Sequence, residues 1–186
     1  MPFEADAPHG FRHQSDFITE DEEARLAAGI ETVQFAAFEM RGVAARRRVA
    51  FFGSLYDSGA VAPPLPPFLI PLRDAAALWS GVDPVAFEMA LINEYPPGAP
   101  IGWHRDAPQY GLVAGISLLS SCRMKFRPYV RNAQRAPAER RVATHQILLE
   151  PRSVYLLTGD ARQEYEHHIP GVPRLRYSIT FRTVRR

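Results

Sequence analysis

One heptapeptide near the C-terminus, Arg176-Tyr-Ser-Ile-Thr-Phe-Arg182, constrains the fold more than any other stretch of the chain. Its charged and hydroxyl residues alternate with Tyr177, Ile179 and Phe181, which is the period of a β-strand with one polar, inward face and one apolar face. Two inward arginines need anions. A guanidinium is a planar fork of donors that matches a carboxylate bidentately, so two of them on one strand face suit a small dicarboxylic acid such as 2-oxoglutarate. The plainer reading is an edge strand with exposed arginines.

A second constellation lies upstream in Trp103-His104-Arg105-Asp106. On a strand, residues i and i+2 project from the same face, so the His104 imidazole and the Asp106 carboxylate would point at one spot. With a third ligand from a distant strand, two histidines and a carboxylate on one face of an octahedral ion leave positions open, the arrangement of Fe(II) oxygenases. Catalytic zinc can take the same ligands, but its common helical His-Glu-x-x-His run is missing from this sequence. Alone, a His-x-Asp pair is an ordinary surface feature. Its context is more specific: it follows the turn-rich Asn93-Glu-Tyr95-Pro-Pro-Gly98 and precedes the strand-like Gly115-Ile-Ser-Leu-Leu119.

From residue 87 onward, strand patterns recur at 87–94, 112–119, 123–129, 143–149, 152–157 and 175–184. Antiparallel strands in such succession without intervening helices predict a jelly roll, a double-stranded β-helix, in a mainly β protein with a few helices. Before it come a helix over Thr19–Ala28, with capping-box spacing between Thr19 and Glu22, strand-like runs at Thr32–Phe38 and Val49–Phe52, and a short helix at Leu72–Trp79. Pro63-Pro-Leu-Pro-Pro67 predicts an extended surface connector. A length of 186 residues accommodates one core, hence one domain.

These motifs together resemble the AlkB family of Fe(II)/2-oxoglutarate dioxygenases. Arg176 to Arg182 is similar to the family's Arg-x-Asn/Ser-x-Thr-x-Arg signature, Asn93-Glu-Tyr95 with Gly98 to its Asn-x-Tyr-x-x-Gly lead-in, and Thr158-Gly-Asp-Ala-Arg162 to the strand and turn before its distal histidine. The resemblance covers roughly Arg46 to Arg182 and is tight from Ala90 onward. It implies that His104, Asp106 and His167 bind Fe(II), with His167 preferred to His168 because His167-His-Ile169 aligns with the family's His-Gly-Ile or His-Ser-Ile. It also implies that Arg176 holds the distal carboxylate of 2-oxoglutarate, that Arg182 sits near its C1 end, and that Asn93, Tyr95, Ser178 and Thr180 complete the cosubstrate site. Residues 1–85 would then be an N-terminal extension with a nucleotide-recognition lid, and 86–186 the jelly-roll catalytic core.

The net charge is only +2, yet the cations cluster at Arg46-Arg47-Arg48, at seven positions from Arg123 to Arg141, and at Arg185-Arg186. Local patches of this kind can contact a nucleic-acid backbone, and Arg46 to Arg48 run into Phe51, Phe52 and Tyr56, cations beside aromatics. Arg48, Phe52, Tyr56, Trp103 and Arg162 are therefore candidate substrate contacts. Core packing is the plain reading for each aromatic, and a salt bridge to Asp160 or Glu164 for Arg162. The single cysteine, Cys122, excludes an internal disulfide and suits a reducing compartment. With no signal-peptide pattern and no long apolar run, a cytoplasmic monomer is expected.

The resemblance implies an O2-dependent demethylase of alkylated bases in single- or double-stranded DNA, or in RNA. One departure bears on the substrate: Asp106 is followed by Ala107-Pro-Gln-Tyr110, where many nucleic-acid repair members carry acidic residues. An oxygenase of the same fold acting on a protein side chain or small molecule is the alternative, and a binding module without turnover a third.

Overall fold

The computed structural model describes residues 7–40, 43–54, 62–130 and 145–185. Two antiparallel sheets face each other. The larger has seven strands: β1 (Phe11–Gln14), β2 (Ala36–Met40), β3 (Val43–Gly53), β4 (Phe87–Tyr95), β6 (Tyr110–Leu118), β9 (Val154–Leu157) and β11 (Arg176–Val184), in the spatial order β1-β9-β6-β11-β4-β3-β2. The smaller contains β5 (Ile101–His104), β7 (Cys122–Pro128), β8 (His145–Leu149) and β10 (Tyr165–Ile169), in the order β5-β10-β7-β8. Three helices accompany them: α1 (Glu20–Glu31), α2 (Ile70–Ser80) and α3 (Gly159–Gln163).

β11 lies at the middle of the large sheet, and all seven residues from Arg176 to Arg182 are buried. Its apolar residues Tyr177, Ile179 and Phe181 pack with Ala50, Phe52 and Ile92 of neighbouring strands beneath Leu26 and Ile30 of α1 and Leu72 and Ala76 of α2. Removing this much apolar surface from water, at about 25 cal/mol per Å², is what fastens the helices to one side of the sheet. The other side faces the small sheet, where Val113, Tyr155 and Leu157 meet Met124, Phe126 and Ile169. The polar positions of β11 open into this second layer, so the alternation of the heptapeptide maps onto two interiors of different chemistry.

Local signals account for most of the elements. Thr19 caps α1 through the backbone N–H of Glu22, and the Glu22 carboxylate accepts from the Thr19 N–H, completing the capping box. Pro71 stands in the first turn of α2 and Gly81 ends that helix in the left-handed region at φ 78°. The proline-rich connector carries no regular structure until a 3-10 turn at Pro67–Leu69. β1 and β10 have no counterpart in the pattern reading: β1 is four residues long, and Tyr165-Glu-His-His-Ile presents polar residues on both faces. Two expectations are corrected. The segment after Thr158 is the helix α3 rather than a strand and turn, and Asp106 lies beyond the end of β5, so strand alternation is not what aims it.

Gly115 pairs with Thr180 on one side and Tyr155 on the other. A Cβ added there would lie 2.2 Å from the Tyr155 ring, so the phenol lies flat across the position that a side chain would fill. Gly115→Ala is expected to destabilise the protein by about 1–3 kcal/mol through overpacking, read from the midpoint of urea unfolding.

Candidate metal and cosubstrate site

Register on the large sheet sets out the site in rows. Arg176 stands opposite Tyr95, Ser178 between Asn93 and Ser117, Thr180 between Leu91 and Gly115, and Arg182 between Met89 and Val113. Ser178 and Thr180 are buried and line a cavity shared with Asn93, Tyr95, His104 and His167. Across it, the small sheet pairs His104 of β5 directly with His167 of β10.

His104, Asp106 and His167 form a group whose ligand atoms lie within 4.8 Å of one another, the one such cluster of three among the described residues. The two imidazoles have ring centroids 4.2 Å apart, and His167 Nε2 lies 3.8 Å from Asp106 Oδ2. The His104 Nδ1–H donates to the Gly102 carbonyl at 2.8 Å, which leaves Nε2 to face the cluster. His168 points the other way, with Nδ1 donating to the Ile101 carbonyl and its ring against Trp103. Burial pushes His167 down to about 3, assisted by His104 and Arg182, and burial also lowers His104. Both rings are therefore neutral, the form that binds metal. Burial alone would raise the Asp106 carboxyl, but Arg182, His167 and His104 hold it below the ordinary carboxylate range. A carboxylate beside two neutral imidazoles is the facial donor set of non-haem Fe(II).

Since Asp106 sits in a loop, two arginines hold it in place. Arg182 donates to Asp106 Oδ1 from Nη2 at 2.7 Å and from Nε at 3.0 Å, while its Nη1 donates to Thr180 Oγ1 at 2.8 Å. Arg162 is 5% exposed and donates from Nη2 to the carbonyls of Ala107 and Tyr110, at 2.6 and 2.8 Å, pinning the segment that follows Asp106. Arg162 thus binds backbone rather than Asp160 or Glu164.

Arg176 is 1% exposed, and its Nε donates to Ser117 Oγ at 3.1 Å. Its two terminal nitrogens are buried with no partner in strict hydrogen-bond geometry, and their polar neighbour is the Tyr95 hydroxyl, which the guanidinium reaches through its charge and a loose side-chain contact, the Tyr95 ring centroid lying 5.1 Å away. An unpaired buried donor costs about 1–3 kcal/mol. A forked cation left open in this way is the complement of a carboxylate, and it fits the distal end of a 2-oxoglutarate whose other end reaches the metal.

The remaining sequence candidates separate. Arg48 is turned to the helix-covered side, where it grips Glu94 through two bonds of 2.8 and 2.9 Å. Phe52 is part of the core under α1 and α2. Tyr56 lies outside the described residues. Trp103 lines an open cleft of about 920 Å³ shared with His104 and Asp106, with the Arg127 guanidinium 4.2 Å above its ring. Two buried residues, one beside the cavity and one lining it, have no counterpart among the sequence candidates. Arg47, one position from Arg48, faces inward and donates to Asn93 Oδ1 at 2.7 Å. Tyr155 lines the cavity over Gly115, and burial pushes its hydroxyl well above the ordinary phenol range. The signal for Tyr155 was a glycine within an otherwise apolar strand, which marks a close approach.

The 2OG-Fe(II) oxygenase superfamily model matches residues 36–182. Among curated proteins, the chain is 27% identical over 175 residues to "Alkylated DNA repair protein ALKBH8 homolog" of Arabidopsis thaliana, covering 83% of this chain and 49% of that protein, so the chain spans about half the length of that relative. It is 29% identical over 171 residues to "Probable RNA/DNA demethylase ALKBH6" of Danio rerio, covering 90% and 72%, and 28% identical to the uncharacterized protein L905 of Acanthamoeba polyphaga mimivirus, covering 95% and 85%. Among solved structures, OsALKBH1 superimposes with a TM-score of 0.68 at 15% identity, covering 94% of this chain and 98% of that one. A Pseudomonas putida prolyl-4-hydroxylase gives 0.61 at 16% identity, covering 96% and 94%. At such identities the two structures report the jelly-roll fold.

The open fork of Arg176 generates an asymmetric expectation. Arg176→Met is expected to leave the ligand-free protein at least as stable as wild type, because no buried charge is left unpaired. The same change is expected to weaken 2-oxoglutarate binding by about 100-fold, from the loss of two charge-assisted bonds. Thermal unfolding and calorimetric titration with 2-oxoglutarate read the two halves.

Proposed function

Because the chain belongs to the 2OG-Fe(II) oxygenase superfamily, with AlkB-like relatives, we propose that this dioxygenase oxidatively demethylates N-alkylated bases in DNA or RNA. The products are succinate, CO2 and formaldehyde. Fe(II), 2-oxoglutarate and O2 supply the oxidising chemistry when bound, and the hydroxylated methyl group leaves the base as formaldehyde. The protein's own part is positioning. His104, Asp106 and His167 offer the metal one face, Arg182 keeps the carboxylate ionised and aimed, and Arg176 sets the reach of the cosubstrate.

The observation that carries the substrate reading is the cleft beside the metal ligands. Trp103 and Tyr129 stand on its walls with Arg105, Arg127 and Arg162 and with Glu164 and Glu166; Arg127 pairs with Glu166, and the Arg105 guanidinium lies 3.5 Å above the Tyr129 ring. Flat apolar surfaces next to cations suit an extruded base and its phosphates. Damage that weakens pairing lowers the few kcal/mol needed to extrude a base, so N1-methyladenine and N3-methylcytosine are the favoured substrates. A second reading, oxidation of a protein side chain or small molecule, is favoured by the segment after Asp106. Ala107-Pro-Gln-Tyr110 has no acidic group to read a base edge, and Arg162 spends one of its nitrogens on that segment's carbonyls.

Turnover with Fe(II) and 2-oxoglutarate on oligonucleotides carrying one N1-methyladenine or N3-methylcytosine tests the proposal. Mass spectrometry is expected to show one succinate per formaldehyde, and loss of both products by about 100-fold or more in His104→Ala and Arg182→Ala. Succinate without repair would move the substrate to the second reading. No succinate under any condition would overturn both.

A further inference from the structure

The run Arg46-Arg47-Arg48 has the composition of a nucleic-acid patch, yet the structure engages all three residues within the protein. Arg46 donates to the carbonyls of Pro97 and Gly98 at 3.1 and 3.2 Å. Arg47 donates to Asn93, and Arg48 closes on Glu94. The four partners belong to one segment, Asn93 to Gly98, which delivers Asn93 and Tyr95 into the cavity. Consecutive arginines of β3 thus brace that segment from the cavity side, from the helix side and at its terminal turn.

Arg47 has the most specific chemistry of the three. It is 6% exposed, its guanidinium lies 4.0 Å above the Phe38 ring, and it feels the charge of Arg182. A guanidinium has donors only, so it can face only the oxygen of a carboxamide, and the structure pairs it with Asn93 Oδ1 at 2.7 Å. With Oδ1 engaged, Asn93 has its Nδ2 amide donors left to offer the cavity. The opposite orientation would present a carbonyl oxygen to an anionic cosubstrate.

We propose that Arg47 is a positioning residue for cosubstrate binding: its bond to Asn93 Oδ1 locks the Asn93 amide with Nδ2 toward the cavity, where it donates to an oxygen of 2-oxoglutarate. The inference rests on the superfamily's cosubstrate chemistry and not on the nucleic-acid reading, so failure of base repair leaves it standing. It assigns Arg47 no contact with the reacting atoms. Its signature is therefore a change in cosubstrate affinity that passes through Asn93.

The test is calorimetric titration of 2-oxoglutarate into protein loaded with Mn(II), which reads affinity without turnover. Arg47→Met keeps an unbranched apolar side chain beside Phe38 and removes the donor. Its Kd for 2-oxoglutarate is expected to rise about tenfold or more, the equivalent of one hydrogen bond, with Mn(II) affinity not weakened. Asn93→Ala is expected to lose a similar factor, and the double variant no more than the worse single one, because both remove the same interaction. Asn93→Asp guards against misfolding: it keeps the pair with Arg47 while replacing the amide donor by a carboxylate oxygen. Unchanged melting and a Kd raised about tenfold or more are expected there. A wild-type Kd in either Arg47→Met or Asn93→Asp would overturn the proposal, as would losses that multiply in the double variant.

Discussion

A guanidinium taken out of water has to find acceptors, and this protein buries Arg47, Arg176 and Arg182 on one face of its large sheet. Each answers the constraint differently. Arg182 spends its fork on Asp106 and so holds a loop carboxylate in place beside His104 and His167. Arg47 takes a neutral amide oxygen. Arg176 takes a serine hydroxyl and leaves its terminal nitrogens open. The candidate metal group and the cavity beside it follow from these three solutions, because two neutral histidines and a single carboxylate leave the interior with an excess of positive charge. An anionic ligand is what balances it.

Much of this was legible in the sequence because it is periodic. The alternation of Arg176 to Arg182 identifies a strand with two chemically different faces, and both faces prove buried, one under α1 and α2 and the other in the cavity. The Thr19 and Glu22 spacing marks the start of α1 for the reason it forms, two backbone groups satisfied reciprocally. His104 and His167 are brought face to face by pairing between β5 and β10. Period alone could not have chosen His167 over His168, since adjacent residues differ only in which face they take.

What was not legible is where a strand meets a loop or where like residues adjoin. Asp106 appeared to be aimed by strand alternation, whereas β5 ends at His104 and the carboxylate is held by Arg182 from across the cavity. Phe52 reads as an aromatic beside cations, yet it belongs to the apolar side of β3 and packs in the core. Arg47 and Arg48 are chemically identical and lie on opposite faces, so only the pairing of β3 with β4 distinguishes the residue that meets Asn93 from the one that meets Glu94.

That identity has a consequence for how β3 finds its place. Three successive arginines would offer nearly the same charges to β4 after a slip of one residue, so they cannot select the alignment. The discrimination falls to the other end of the strand. There Ala50 and Phe52 must enter the core, and Gly53, at φ 82°, packs where an added Cβ would lie 2.2 Å from the Glu88 carbonyl oxygen. β3 is therefore a zip fastened at Gly53: the hydrophobic end sets the alignment, and that alignment decides which arginine meets Asn93 and which meets Glu94 at the cationic end.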